Sequence, residues 1–425
     1  MIPKIPDYLL IKGDLLVKMF SCFNSVNLSP ELRLMLACLR ILPNEKEVQQ
    51  IEKLSNTKIA WHDFLRLVDR HRVAPLVFTN LNRYAGEAVP PAIMRDLRSR
   101  FESNAHRSMA NASELVRLYK LFQENGIAVL PLKGSLLALR VYGNLALRHA
   151  GDIDLLVDPQ YVEKADHLLQ AGYRRIFPCF DLTAHQKNQI DRFFHHFEYL
   201  HDQNSIALEL HWRSIHHRES HTLDLAWLCS GAQYVPVAGY HLPAMSREDT
   251  ILYLCAHGAG HYWFRLFWLV DLAEIMRQNQ KTDWDQLMVR AVKLGIVRPL
   301  AQGVILAHMF CDVPLPGQIL AYAGRDRVVT YLTKRACEYI LSPLPEPQPI
   351  LQILQDKVYR LRLSSNSRDK FIVIQSFFSS DYRVTLRPTD LPFPLCSVLL
   401  ALRWFHRRLA GKRGQVGQHK NGQEQ

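Results

Sequence analysis

Of the chain's eight cysteines, Cys22, Cys38, Cys179, Cys229, Cys255, Cys311, Cys337 and Cys396, no two stand at CxxC spacing. That excludes a zinc ribbon and leaves no disulfide framework to propose. Thiols scattered in this way suit buried, reduced side chains in a cytoplasmic protein. Long apolar runs are lacking as well. The opening stretch MIPKIPDYLLIKGDLLVKMF is broken by Lys12, Asp14 and Lys18, so it has no signal-peptide core. Near the other end, CSVLLALRWF (residues 396–405) falls well short of the roughly 20 apolar residues that cross a bilayer. Acidic residues are in deficit, 40 Asp and Glu against 52 Lys and Arg, for a formal net charge of +12. Such a field favours anionic partners: nucleotides, nucleic acid or a lipid surface. The expectation is a soluble, cytoplasmic chain without a transmembrane segment. Nothing in the sequence bears on oligomeric state.

What is present is ample apolar material, 48% of 425 residues, enough for two or three packed units. Residues 1–107 read as a helical region. WHDFLRLVDRHRVAPLVFTNLNRY repeats its apolar positions every three or four residues, with Pro75 at a helix start or break. The stretch from Met94 to Gly126 predicts one or two long helices ending at a glycine cap. Residues 108–245 change character. IAVLPL and DIDLLV read as buried strands, with KGSLLALRVYGN turning helical between them and PQYVEKADHLLQAGY as a surface helix after them. HHFEYLHDQNSIALELHW reads as a hairpin around DQNS. Residues 246–340 are helical again, with capping boxes expected at Ser246/Asp249 and Thr282/Asp285. Residues 341–425 comprise the proline-rich LSPLPEPQP, helical patches and a basic tail whose default reading is a solvated segment. Trp61 followed by VAPL is echoed by Trp284 followed by VRPL, one residue out of register. Either a duplication or convergent packing of helix pairs accounts for that. The predicted fold class is α+β, a small mixed-sheet core flanked by N- and C-terminal helical regions.

Alternation along a strand decides which side chains meet. In DIDLLV, Asp152 and Asp154 face away from Ile153, Leu155 and Val157. In IALELHW, Glu209 and His211 face away from Leu208 and Leu210. If these strands are neighbours, three carboxylates gather on one sheet face, where they repel unless a cation sits among them. Hard divalent ions take such oxygens and bridge them to substrate phosphates. Taken alone, Asp-x-Asp is equally an acidic turn entering a strand. The preceding Lys133, Gly134 and Ser135 sit at a strand–helix junction, where free amides and a glycine let a phosphate approach, and Arg148 adds a second positive charge.

Gly134-Ser135, Asp152-Ile153-Asp154 and Glu209, in that order, resemble the nucleotidyltransferase superfamily that includes DNA polymerase beta. LKGSLLALRVYGNLALRHAGDIDLLV and LELHW, with helical stretches such as WHDFLRLVDRHRVAPL and LYLCAHGAGHYWFRLFWLVDLAEI, resemble more narrowly its bacterial uncharacterised nucleotidyltransferase family. That resemblance runs from about Leu54 to Phe310. It implies that Asp152 and Asp154 pair on Mg²⁺ (or Mn²⁺) with Glu209 as third ligand, and that Gly134 and Ser135 hold the triphosphate, beside Lys133 and Arg148. The implied reaction moves an NMP from an NTP, such as ATP, to an unknown acceptor hydroxyl with release of pyrophosphate. The gap from Ser135 to Asp152 is longer than the superfamily's usual spacing, which bears on Ser135 most. The alternative is a non-catalytic nucleotide- or nucleic-acid-binding protein of the same fold; nucleic acid is the less favoured partner.

Four further features carry two readings each. HGAGH spaces His257 and His261 one helical turn apart, as metal ligands or as cleft and packing residues. His257 and Asp271 are possible substrate contacts from a helical lid, Asp271 equally a partnered structural carboxylate. His211 is a site residue or a sheet-surface histidine. YWFRLFW (residues 262–268) stacks a base or fills a core, and the histidines at 195, 196 and 201 match no established metal spacing.

Overall fold

A computed structural model describes residues 28–178, 194–214, 223–278, 282–342, 350–367, 370, 371, 373 and 374. Among the described residues five helices come first: α1 (Pro30–Ala37), α2 (Glu45–Ser55), α3 (Trp61–His71), α4 (Ala74–Tyr84) and α5 (Pro91–Glu124). Their boundaries follow from local chemistry. Asn44 and Glu47 form a reciprocal capping box at the start of α2. Pro75 and Pro91 sit in first turns, where a missing N–H leaves nothing unpaired. The one or two helices expected between residues 94 and 126 are a single helix, Pro91–Glu124, of 34 residues, and Gly126 takes the left-handed conformation (φ 68°) just past its end.

The α/β core follows. Strand β1 (Val129–Pro131) leads into a single helical turn and then β2 (Ile153–Val157), α6 (Val162–Leu169) and β3 (Tyr173–Phe177). The expected hairpin is β4 (His196–His201) with β5 (Ala207–His211). These make a five-stranded mixed sheet in the order β1-β2-β5-β4-β3, in which only β2 and β5 run parallel. Helix α7 (Leu225–Ser230) and a two-stranded sheet, β6 (Gln233–Val237) and β7 (Tyr240–Ala244), complete this part. The C-terminal helices are α8 (Arg247–Gly260), α9 (Leu266–Arg277), α10 (Trp284–Lys293), α11 (Val297–Cys311), α12 (Gly317–Arg325), α13 (Arg327–Leu341) and α14 (Ile350–Leu363).

Two large cores and a small cluster of Ala259, Leu332, Tyr359 and Leu363 hold the described residues together. One face of the sheet, with Ile153, Leu155, Val157, Phe197, Tyr199, Leu208 and Leu210, packs on Leu115, Leu118 and Phe122 of α5. The helices before and after the sheet, remote in sequence, share the other core, which runs from Leu32 and Phe64 to Leu269, Leu300 and Ile340. Polar ties reinforce this second union. The Leu266 N–H donates to Nδ1 of the fully buried His71 (3.2 Å), and Arg70 donates to the carbonyls of Tyr339 and Ser342.

The Trp–VxPL echo is matched by local structure, since Trp61 opens α3 and Trp284 opens α10, each followed by a helix beginning at the VxPL segment. One expected cap is corrected. Ser246 does accept from the Asp249 N–H, but α10 is capped by Asp283, which accepts from the Gln286 N–H. Thr282 is diverted because its hydroxyl accepts from the Arg247 guanidinium. Among the described residues no helix is long and apolar enough to cross a membrane. Cys38, Cys229, Cys255 and Cys311 are free thiols. The prolines after Ser342, the apolar stretch 396–405 and the basic tail lie outside the described residues.

His71 makes stability depend on pH. Burial, then the charge of neighbouring Arg70, lowers it from 6.5 to about 3. Below 6.5 the unfolded chain therefore binds a proton that the folded chain refuses. Stability contributed by neutral His71 is complete above 6.5 and drains by up to about 1.4 kcal/mol per pH unit toward 3. A His71→Asn variant, which retains a side-chain acceptor but cannot titrate, should lose less stability than wild type between pH 6.5 and 4. Urea unfolding at each pH measures it.

Candidate active site

The sheet face turned away from its core collects charge because of register. Parallel pairing sets Asp154 opposite Glu209 and Leu156 opposite His211. Antiparallel pairing of β4 then sets Glu198 opposite Glu209 and His196 opposite His211. Asp152 precedes β2 by one residue, at the open edge, with its side chain 31% exposed while that of Asp154 is wholly buried. Glu198 is a fourth carboxylate that the sequence reading missed. Applied to HHFEYLH, the same alternation places His196 and Glu198 on one face.

Two cations sit among these acids. Lys133, at the end of the turn after β1, places Nζ 3.1 Å from Asp152 Oδ1 and 2.9 Å from Asp154 Oδ2. His211 places Nε2 3.3 Å from Asp154 Oδ1 and 3.1 Å from Glu209 Oε2. Burial opposes the Lys133 charge, but Asp152 and Asp154 outweigh it and hold the ammonium well above its usual range. Burial likewise opposes charge on His211, yet its bonds to Asp154 and Glu209 raise it to about 9. Glu209 moves the other way: burial resists its charge, and His211 keeps it ionised far below the carboxylate range. Asp154 is pushed up by burial and by repulsion from Asp152, against Lys133 and His211.

The approach to the aspartates is fixed from α5. Asn104 donates to the Ala146 and Arg148 carbonyls and accepts from the Ala150 N–H, at 3.0, 2.9 and 2.8 Å. Asn111, two turns on, donates to the Gly151 carbonyl at 2.7 Å. The only sequence signal for this pair was two asparagines on one face of a long helix. Gly134 adopts φ 75°, a conformation that favours glycine, while a Cβ there would meet the Asp152 carbonyl only at an ordinary contact distance of 3.6 Å, so it is the turn that calls for glycine. The helix expected after the KGS turn is one turn only, Ser135–Leu137, continuing as a π-helical turn over Ala138–Tyr142.

Above the charged face lies a cavity of ≈ 400 Å³. Lys133, Gly134, Arg148, Asp152, Glu198, Glu209 and His211 line its sheet side; His257, His261, Phe264, Phe267 and Trp268 line the opposite wall. Ser135 lines a smaller neighbouring pocket with Gly134 and Asp152. Burial holds His257 well below its usual value and His261 at about 4, so both rings are neutral. They gather no third ligand among the described residues. Gly258, between them, is explained by packing: a Cβ would come within 2.4 Å of the Trp263 ring.

Two expected contacts are redirected. Asp271, wholly buried, lies behind the wall and not in it. It accepts from Arg148 Nε (2.9 Å) and Nη2 (2.8 Å) and from the Tyr142 hydroxyl (2.7 Å). Arg148, expected to meet phosphate, thus spends its guanidinium on that carboxylate, and reaches the cavity only at its edge. The pair ties the loop before the aspartates to α9.

The donor set suits a divalent cation. Ligand atoms of Asp154, Glu209 and His211 lie within 4.8 Å of one another, as do those of His195, His196 and His211. Two carboxylates favour a hard ion such as Mg²⁺, and the imidazole widens the choice toward Mn²⁺. A cation there would take over the neutralisation that Lys133 and His211 supply.

The model of the uncharacterised nucleotidyltransferase family matches residues 57–312, more than half of the chain. The chain belongs to that family. Searches of curated proteins and of solved structures gave no match. Membership supports a general role in nucleotidyl transfer, with a nucleotide as substrate, and the matched span takes in every residue of the charged face.

Breaking the buried tie should unfold before it disarms. Asp271→Ala leaves the Arg148 guanidinium, 5% exposed, without its partner. The expected loss is about 3–5 kcal/mol in denaturant unfolding, while Arg148→Met/Asp271→Leu loses much less because no buried charge remains. An equal loss in both would show that packing, not charge pairing, holds the loop.

Proposed function

We infer that the protein is a Mg²⁺- or Mn²⁺-dependent nucleotidyltransferase that moves a nucleoside monophosphate from an NTP to an acceptor hydroxyl. The acceptor's O–P bond forms as the bond from the α-phosphorus to pyrophosphate breaks, and the hydroxyl proton passes to the carboxylate cluster. The observation that carries this reading is the register of β2 with β5, which brings Asp154 beside Glu209 with Asp152 at the open edge. Asp152, Asp154 and Glu209 would hold the cation. When bound, the ion supplies charge neutralisation at the phosphates and a lower pKa for the attacking hydroxyl.

The chain's own groups divide the remaining work. Gly134 admits a phosphate to the backbone, Ser135 lines the pocket beside it, and Lys133 brings positive charge to the same edge. His211 fixes the Asp154 and Glu209 carboxylates by bridging them. Phe267 and Trp268, whose rings lie 5.2 Å apart in the far wall, offer a face on which a nucleobase can stack. His257, neutral and in the same wall, is a substrate contact without charge. The helical shell around the cavity would select the acceptor, whether small molecule, sugar, peptide or protein.

Incubation with labelled NTPs, Mg²⁺ or Mn²⁺ and candidate acceptors tests this. Asp152→Asn/Asp154→Asn should lower transfer by at least about a hundredfold while circular dichroism stays that of wild type. Transfer that survives the double substitution sinks the assignment. The observation favouring a non-catalytic binder is that Lys133 and His211 already neutralise the acids. Tight NTP binding indifferent to metal, with no turnover on any acceptor, would establish that reading instead.

A further inference from the structure

A second cavity, ≈ 720 Å³, meets the first at Asp152. Its walls include Arg72, His106, Arg107 and Asn111, and the start of β5 at Ile206 and Ala207. Arg72, His149, Gly151 and Asp152 line both chambers, and Arg265 lines the first. Among the described residues Arg72, Arg107 and Arg265 have no carboxylate within ion-pair distance, although other arginines of the chain pair readily. The three also act on one another. Burial first, then the Arg72 charge, lowers Arg265 to about 10, and Arg107 lowers Arg72 after burial and against Asp152. His149, between the chambers, is held at about 3 by burial and then by Arg72, Arg148, Arg107 and Arg265. Cations that outnumber the acids around a cavity are stabilised when an anion enters it.

Two considerations identify that anion. In-line displacement puts acceptor and leaving pyrophosphate on opposite sides of the reacting phosphorus. With the triphosphate on the Gly134 side of Asp152, the second chamber is left for the acceptor. A carboxylate is satisfied by one forked guanidinium, whereas two guanidinium groups lining one chamber, Arg72 and Arg107, match the terminal oxygens of a phosphate ester. Resting on the nucleotidyltransferase reading, we propose that the second chamber is the acceptor site and that the acceptor carries a phosphate-monoester group, seated between Arg72 and Arg107. The positive field then serves substrate choice and the aspartates serve the chemistry.

The test loads the full chain with α,β-methylene ATP, or its GTP counterpart, and Mg²⁺, then titrates inorganic phosphate by calorimetry. Phosphate should bind the loaded protein. Arg72→Gln/Arg107→Gln should weaken phosphate by about tenfold or more, with the analogue's affinity unchanged within about twofold. Phosphate that cannot bind once the analogue is present overturns the proposal. So does equal weakening of both ligands, which would assign the arginines to the NTP. The same titration without analogue separates the two readings: an analogue that never binds fails the nucleotidyltransferase reading, while the variant's effect on phosphate still decides the anion site. Arg107 is exposed, so Arg107→Gln serves as a variant that folds. Phosphate affinity unmoved in both variants overturns the site.

Discussion

The parallel ladder between β2 and β5 is the constraint on which the rest depends. A parallel pair cannot be closed by a tight turn, so chain must travel out of the sheet and return. Here that excursion is α6, β3 and β4, and β4 returns as the antiparallel neighbour of β5. The outcome is a central strand flanked by acids on both sides, Asp154 from β2 and Glu198 from β4, both opposite Glu209. A slip of one residue in this register would turn the carboxylates into the core and the leucines out to the cavity. The apolar face prevents the slip: Ile153, Leu155, Leu208 and Leu210 are all buried on the other side.

Holding a wholly buried aspartate ionised needs compensation, and the fold supplies it from two directions. Lys133 reaches in from the turn after β1, and His211 stands two residues along the same strand as Glu209. Behind them the helical regions act as a frame. Asn104 and Asn111 on α5 hold the backbone ahead of Asp152, and Asp271 on α9 holds Arg148 in the same loop. Because the early and late helices share one core, a loop tied to both α5 and α9 is positioned by the whole shell.

Much of this was legible in the sequence. Strand alternation put Asp152 with Asp154 on one face of their strand and Glu209 with His211 on one face of theirs, the parallel ladder joins the two pairs, and the glycine after Lys133 announced the turn. What could not be read was partnership. Whether Arg148 meets a phosphate or a carboxylate depends on where α9 passes, and Asp271 lies 123 positions away along the chain. The same holds for the asparagines of α5, whose carbonyl partners lie some 40 residues on. Local pattern gives the face a side chain occupies; long-range packing gives the atom it meets. Thr282 shows the rule at small scale, a plausible cap lost to an arginine 35 residues earlier.

Charge around the site is therefore distributed unevenly. The net excess of +12 could have been spread as a solvated surface. Instead its cationic groups near the cavity fall into two kinds. Arg148 and Lys133 are neutralised by acids and fix geometry. Among the described residues Arg72, Arg107 and Arg265 have no carboxylate within ion-pair distance. Asp152 stands at the boundary between them: it bonds Lys133 on one side, and its field reaches Arg72 and Arg265 on the other.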